Sequence, residues 1–165
     1  MFLATCFDHV FAVDGSKIAI EDCQARSLDQ GIVNIDFVHS LIDDSGLLQT
    51  LQNKLKSINV SSPVQIYSRF FLHSLEEEDE DKVIALISEL LEGVDGSIYL
   101  EFRTTEDEFL SKYTGSHFRR YINPTTLIDK FSAYNFDVSY SAEGVGFAKH
   151  KVDDAYVARL VLNKS

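Results

Sequence analysis

Three polar residues, Ser68, Arg69 and His73, close the stretch from Val64 to His73, and their side chains can bind anions or carry protons. The stretch opens with β-branched and aromatic residues, which predicts a strand. A helix is predicted directly after it, from about Glu76 to Leu91. A strand that runs into a helix is half of a βαβ unit, and in open α/β sheets ligands bind beyond the carboxyl ends of the strands. We therefore expect Tyr67 to His73 to form the floor of a binding site.

Strand and helix patterns alternate along the first two thirds of the chain. The predicted strands are His9 to Val13, Ile32 to Val38, Val64 to Ser68, Ser97 to Phe102, Phe136 to Tyr140 and Tyr156 to Leu162. Helices are predicted from Ser16 to Gly31, where Ile18, Ala19 and Cys23 would face inward, and over Leu47 to Ile58, Glu76 to Leu91 and Pro124 to Tyr134. The last two strands leave no room for a crossover helix between them, so they should form an antiparallel hairpin. The pattern predicts one α/β domain over 1–165, with a Rossmann-like, mostly parallel sheet closed by that hairpin.

The composition of the chain limits the kinds of molecule that it can bind. The chain has 165 residues and a formal net charge of −11, with a sequence pI near 4.7. This charge argues against a general affinity for nucleic acid or anionic membranes and favours a small-molecule partner. No apolar run reaches the length of a membrane span. Cys6 and Cys23 form no CxxC motif, so we expect a reduced, cytoplasmic chain.

Six consecutive acids from Glu76 to Asp81 suggest a metal site at first sight. Acids at a helix start also suit the helix dipole, and Ser74 with Glu77 fits a capping box. We interpret the run as a helix start and predict no metal site.

The order of these pieces resembles the class I S-adenosylmethionine-dependent methyltransferases, and in particular their small-molecule enzymes. The pieces are a strand ending Val-Asp-Gly-Ser, the central run Tyr-Ser-Arg-Phe-Phe-Leu-His, the strand Ile-Tyr-Leu-Glu-Phe-Arg, the segment His-Phe-Arg-Arg-Tyr-Ile-Asn-Pro and the tail Gly-Phe-Ala-Lys. The resemblance implies S-adenosylmethionine as cofactor and covers the chain from about Val10 to its end.

The resemblance also implies cofactor-binding positions. An acid at the end of the second strand of that family holds both ribose hydroxyls, and Asp14 stands there, although an aspartate at this point can also simply cap a helix. Polar groups near the adenine would come from Ser40, Asp43 or Asp44. Leu41 stands close to the position where the family has an acid or polar residue. The remaining predicted cofactor-binding residues lie beside these strand ends and are Gly15, Ser16, Ser68 and Arg69.

Methyl transfer is an in-line displacement, in which positioning does most of the work and a base is needed only for a protonated nucleophile. The candidate bases are His73, Glu101 and His117. A basic cluster could hold an anionic group of the methyl acceptor: we expect Arg69, Arg103 and at least one of Arg119 and Arg120 to converge on the face that carries Asp14. Tyr121 could line the same pocket. Pairing of Arg119 and Arg120 with surface acids, and a backbone-bound His73, are the structural alternatives.

One departure from the family pattern bears on activity. The family's first strand and glycine-rich loop cradle the methionine end of the cofactor, and no such stretch precedes Val10. We expect a truncated reading frame, or a gap in the middle of the sheet that something else fills. The isolated chain should then be weakly stable, self-associate through open strand edges and bind little or no cofactor. A non-catalytic binding or self-association module and a different nucleotide-binding α/β enzyme stay open as alternatives.

Overall fold

A computed structural model describes residues 2–58, 63–110, 118–150 and 152–165. The chain divides into two compact units, Met1–Ser57 and Ile58–Ser165. The expectation of one domain over 1–165 stays a prediction.

The first unit is a two-stranded parallel sheet with two helices. Its elements are β1 (Val10–Asp14), α1 (Lys17–Asp29), β2 (Ile35–His39) and α2 (Leu47–Ser57), after a short 3-10 helix at Phe2–Thr5. Ser16 caps α1, because its Oγ accepts a hydrogen bond from the amide of Ala19 at 3.2 Å. Gly31, with φ of +66°, takes the left-handed conformation just after the helix, as expected.

The buried face of α1 differs from the prediction. Ile20 and Ser27 are buried, Ala19 and Cys23 are half-buried, and Ile18 is exposed. The inward position predicted for Ile18 is therefore wrong, because helical periodicity also allows a buried face that includes Ile20. Ser27 can be buried on this face because its hydroxyl donates a hydrogen bond to the Ile32 carbonyl at 2.9 Å.

The second unit is a four-stranded sheet in the order β3-β4-β6-β5. Its elements are β3 (Val64–Arg69), α3 (Glu77–Leu90), β4 (Gly96–Arg103), α4 (Pro124–Ser132), β5 (Phe136–Gly144) and β6 (Val157–Lys164). β3 and β4 are parallel, whereas β6 runs antiparallel to both β4 and β5. The predicted fold class, a Rossmann-like sheet closed by an antiparallel hairpin, is confirmed.

Both helices of this unit lie on one face of the sheet. Ile98, Leu100, Leu160 and Leu162 are buried on that face. Lys164, on the same side of β6 as Leu162, donates from Nζ to the Oγ of Ser88 in α3 and to the carbonyl of Tyr134 just after α4. The other face, which we call the tyrosine face, carries Tyr67, Tyr99, Glu101, Tyr140 and Arg159, and its tyrosines are exposed.

The start of α3 also differs from the prediction. The helix begins at Glu77 with Glu76 as its N-cap, without a side-chain cap. Ser74 belongs to a preceding 3-10 turn, Leu72–Ser74, and its hydroxyl donates to the Phe71 carbonyl at 2.6 Å. The predicted capping box of Ser74 and Glu77 is therefore wrong, because the chain makes an extra turn before the helix starts.

Candidate functional site

Polar side chains of the first unit gather at the carboxyl ends of β1 and β2. Asp14 and His39 are the last residues of these strands and lie directly opposite each other. Asp14 Oδ1 accepts a hydrogen bond from the amide of Ser16 at 2.7 Å, and the Asp14 side chain is exposed. His39 Nε2 donates to the carbonyl of Gly15 at 3.1 Å. In the described part of the chain Oδ2 of Asp14 has no hydrogen-bond partner, so this oxygen can accept from a ligand hydroxyl.

The turn after β1 and the loop after β2 approach closely. A Cβ added at Gly15 would lie 2.9 Å from Cδ2 of the exposed Leu41 side chain, which shows how near the two segments lie. The Ser40 hydroxyl lies 3.2 Å from Oδ2 of Asp44 and 3.0 Å from the Leu41 carbonyl, while Leu41 and Asp43 are exposed. Asp14, Gly15, Ser16, Ser40 and Asp43 thus share one edge of this sheet.

In the second unit, β3 ends in an abrupt turn. Phe70 follows Arg69 with φ of +54°, an uncommon conformation for a bulky residue and one that tends to cluster at functional sites. The Phe70 amide donates to the Glu101 carbonyl at 2.8 Å, and its ring packs against the buried cluster of Ala148, Ala155 and Val157. Ser68 lies on the opposite side of β3 from Arg69, and its buried Oγ has no hydrogen-bond partner in the described residues.

Three charged residues form a row across β3, β4 and β6. Arg69 lies directly opposite Glu101, and Glu101 directly opposite Arg159. Arg69 Nε donates to Glu101 Oε1 at 2.6 Å, and Arg159 Nε donates to Oε2 at 2.6 Å. The hydrogen bond to Glu101 raises the pKa of Arg69 above its usual value. Both oxygens of this candidate base are therefore bound by cations.

His73, the second candidate base, is buried beside the end of β4. Its Nδ1 accepts a long hydrogen bond, 3.5 Å, from the Arg103 amide, and its ring meets that of Phe70 edge-on. The His73 carbonyl accepts from the Arg120 amide at 2.8 Å. These contacts place His73 between the end of β4 and the segment that holds Arg120. The third candidate base, His117, lies outside the described residues.

Arg103 is buried and bound by two carboxylates. Its Nη1 donates to Oδ2 of Asp107 at 2.7 Å and its Nη2 to Oδ2 of Asp153 at 2.9 Å. Burial acts to lower the pKa of Arg103, but the hydrogen bonds with Asp107 and Asp153 outweigh it and raise the pKa above the usual value. Oδ1 of Asp107 also accepts a hydrogen bond from the Tyr156 amide at 2.8 Å. Arg103 and Asp107 together therefore connect the end of β4 to the start of β6.

Arg120 joins a second buried ion group. Glu80, in α3, accepts from Nη2 of Arg120 and, at 2.9 Å, from Nζ of Lys130. Lys130 also contacts Glu77 and Asp81; burial acts to lower its pKa, but these three carboxylates raise it above the usual value. The acidic run thus contributes a buried ion pair as well as a helix start.

Two arginines of the predicted basic cluster lie together. Arg69 and Arg103 both lie against the Phe70 ring, with guanidinium carbons 5.0 and 5.9 Å from its centroid. The Arg120 guanidinium is instead bound to Glu80 of α3. Arg119 and Tyr121 are half-buried in the same segment. The roles predicted for all these residues stay predictions.

Sequence reasoning missed four residues that organise the second unit: Arg159, Glu80, Asp107 and Asp153. Arg159 had one detectable signal, a charge within the otherwise apolar strand pattern of Tyr156 to Leu162. Within the described residues, no group of three or more His, Cys, Asp or Glu side chains could hold a metal ion. None of the helices in that part of the chain is both long and apolar enough to cross a membrane.

Solved structures with a similar fold include several S-adenosylmethionine-dependent methyltransferases. One from Anabaena variabilis ATCC 29413 matches with a TM-score of 0.72 and 20% identity over 99% of this chain and 71% of its own. One from Methanosarcina mazei matches with a TM-score of 0.71 and 12% identity over 99% and 85%. The 1,6-didemethyltoxoflavin-N1-methyltransferase of Burkholderia thailandensis, solved with its namesake ligand and S-adenosylhomocysteine, matches with a TM-score of 0.59 and 14% identity over 95% and 61%.

No family model matches the sequence, and no curated protein matches it significantly. The likeness is one of fold: the chain has the fold of the S-adenosylmethionine-dependent methyltransferases, as the sequence resemblance predicted.

Proposed function

We propose that this chain takes part in S-adenosylmethionine-dependent methyl transfer to a small molecule. The observation that carries the proposal is the edge where β1 and β2 end, with Asp14 opposite His39 and one carboxylate oxygen without a partner in the described residues. The methyltransferase fold of the similar structures supports the same class of reaction.

The residues at that edge fit the nucleoside part of the cofactor. Asp14 would accept hydrogen bonds from the ribose hydroxyls, since an ionised carboxylate is an acceptor with two oxygens. Its orientation is fixed by the Ser16 amide, so little side-chain freedom is lost when a ligand binds. The exposed Leu41 offers an apolar contact for a base, and Ser40 and Asp43 offer polar contacts beside it.

The cofactor supplies a methyl group on a sulfonium, which is electrophilic without further activation. The task of the protein is then to bind and align the acceptor. Among the described candidate bases, Glu101 is held between two arginines and His73 is buried with Nδ1 toward the Arg103 amide. Both arrangements fit positioning better than proton transfer, so we assign the second unit a role in orienting the acceptor.

A small acceptor agrees with the acidic composition of the chain, whose net charge of −11 disfavours nucleic acid. The similar Burkholderia enzyme, which was solved with a small heterocycle, is consistent with this class of substrate.

The proposal can be tested with cofactor that carries a labelled methyl group. The chain is incubated with it and with a panel of small hydroxyl, amine and thiol acceptors, and label is counted in the small-molecule fraction. We expect transfer by the wild-type chain, loss with Asp14→Ala and retention with Asp29→Asn, a matched change of an exposed acid in the same unit. Equal transfer by the Asp14→Ala and Asp29→Asn variants would contradict the assignment of Asp14.

A further inference from the structure

Arg69 and Arg159 of the second unit combine a fixed position with exposed donors. The Glu101 side chain between them is only 7% exposed, whereas those of Arg69 and Arg159 are 48% and 43% exposed. A buried carboxylate therefore lies beneath two cations that face solvent. The group presents a net positive charge on a chain whose overall charge is −11.

Most of the donors of this pair are available to a ligand. A guanidinium has five N–H groups in a fork that matches carboxylate and phosphate oxygens. Arg69 uses its Nε for Glu101, and in the described residues its two Nη groups have no hydrogen-bond partner. Arg159 uses Nε for Glu101 and one N–H of Nη2 for the Phe147 carbonyl at 2.6 Å.

Aromatic rings hold the two guanidiniums in place. The Arg69 guanidinium carbon lies 5.0 Å from the centroid of the Phe70 ring, and that of Arg159 lies 5.1 Å from the centroid of Phe147. With Nε bound to Glu101 and one ring against each guanidinium, both side chains have lost most of their rotamer freedom before any ligand arrives. A pre-positioned pair binds an anion more strongly than two mobile arginines would.

Two further arginines, Arg103 and Arg120, are less suited to the role. Arg103 is buried and donates to Asp107 and Asp153, and Arg120 donates to Glu80. Their charge is already compensated by carboxylates, so an added anion would have to displace an internal partner.

We propose that Arg69 and Arg159, bridged by Glu101 on the tyrosine face, form a binding site for a carboxylate or phosphate group. That this group belongs to the methyl acceptor rests on the proposed function; the anion site itself does not. Two roles are predicted for Arg69 from the sequence, cofactor binding and binding of an anionic group of the acceptor, and this proposal keeps the second.

The test uses the full wild-type chain and the ¹⁵N–¹H signals of the arginine Nε groups. Inorganic phosphate and sodium acetate are titrated separately, with sodium chloride at matched ionic strength as the control. We expect the Nε signals of Arg69 and Arg159 to shift saturably with at least one of the two anions. The side chain of Arg26 in α1 hydrogen-bonds to Asp22 and Cys23 of its own helix. Its Nε signal should shift no more with phosphate or acetate than with chloride.

If the two arginines respond to phosphate but not to acetate, the site binds a phosphate group. If they respond to acetate but not to phosphate, it binds a carboxylate. Arg159→Gln should weaken the binding of the effective anion at least tenfold, read at Arg69, while Arg26→Gln should leave it unchanged. The proposal is overturned if neither anion moves Arg69 and Arg159 beyond the chloride control, or if Arg26 responds equally. The anion titration of the wild-type chain tests the proposal even if a variant fails to fold.

A parallel titration with S-adenosylhomocysteine, read at the amides of Gly15 and Ser16, separates the two claims. Anion binding without a nucleoside response supports the anion site and counts against the proposed function. A nucleoside response without anion binding overturns the anion site alone.

Discussion

Arg159 lies directly opposite Glu101 in the antiparallel pairing of β4 and β6, and its Nε donates to Glu101 Oε2 at 2.6 Å. Arg69 binds the other oxygen of the same carboxylate from the parallel side, on β3. A single buried side chain therefore links the parallel and antiparallel parts of the sheet. Charged hydrogen bonds of this kind contribute more to stability than neutral ones.

The first prediction concerns that link. We expect Arg69→Gln and Arg159→Gln each to reduce the free energy of unfolding by about 1–2 kcal/mol, because the remaining arginine still compensates Glu101. The double variant should lose at least about 1 kcal/mol more free energy of unfolding than the two single variants lose together, since it leaves a buried carboxylate without a cation. Urea denaturation measures these values, with Arg26→Gln as the control. Strict additivity would show that the two arginines act independently.

The second prediction concerns Glu80, which is buried and binds both Arg120 and Lys130. We expect Glu80→Gln to reduce the free energy of unfolding by about 2–3 kcal/mol, because it removes the negative charge shared by two partly buried cations and replaces one acceptor oxygen with a donor amide. Lys82→Met removes the more exposed Lys82–Asp79 pair of the same helix and should change stability by less than about 0.5 kcal/mol. Similar losses in both variants would contradict a structural role for Glu80.

The third prediction is a pH dependence in the first unit. The hydrogen bond from Lys54 Nζ at 2.8 Å lowers the pKa of Asp36 below its ordinary value of 3.8; burial opposes this, and the charges of Lys54 and His9 add to it. A carboxyl whose folded-state pKa is lowered stabilises the fold above its unfolded pKa, and this stability is lost as the pH falls through the folded pKa. Because Asp36 is partly exposed, the contribution should be less than about 1 kcal/mol.

Asp36→Asn should therefore destabilise the chain at pH 7 and lose this effect as the pH falls below about 4. Urea denaturation at a series of pH values measures it. In a Lys54→Met background, where the partner of Asp36 is absent, the same substitution should have a smaller effect at pH 7. A pH-independent cost of Asp36→Asn would show that charge is not the cause.

The fourth prediction concerns strand edges. β1 is hydrogen-bonded to β2 and β3 to β4, and in the described part of the chain neither β1 nor β3 has a second strand partner. Open edges of this kind pair with other chains, so we expect an apparent mass that rises with protein concentration in light scattering. Val13→Lys, on β1, should reduce the association, whereas Ile18→Lys, on the exposed side of α1, should not. A constant monomer mass would refute this prediction.

Local signals in the sequence were sufficient for most of the elements. Ser16 and Gly31 marked the two ends of α1 because a hydroxyl cap and a left-handed glycine act within a few residues. The short connection before the last strand was enough to predict the antiparallel hairpin. Asp14 was placed at the end of β1 by the same local reasoning, and the structure locates it there.

Local sequence patterns could not predict the ion groups of the second unit. Alternation along a strand shows which residues share a face, but the register between β4 and β6, which pairs Glu101 with Arg159, depends on residues 58 positions apart in sequence. The same limit applies to Arg103 with Asp153 and to Glu80 with Arg120. Arg103 and Arg120 therefore looked available for a ligand in the sequence, whereas in the structure carboxylates bind them.

The most direct test of the account is a titration of the ¹⁵N-labelled chain with S-adenosylhomocysteine. We predict saturable shifts centred on Gly15, Ser16, His39 and Ser40, the residues at and just after the carboxyl ends of β1 and β2. Asp14→Ala should weaken binding by about 1.5–3 kcal/mol, the value of a hydrogen bond to a charged group, and Asp29→Asn should not. No shift at these amides in a folded chain, or equal affinity of the Asp14→Ala variant and the wild type, would contradict the central claim.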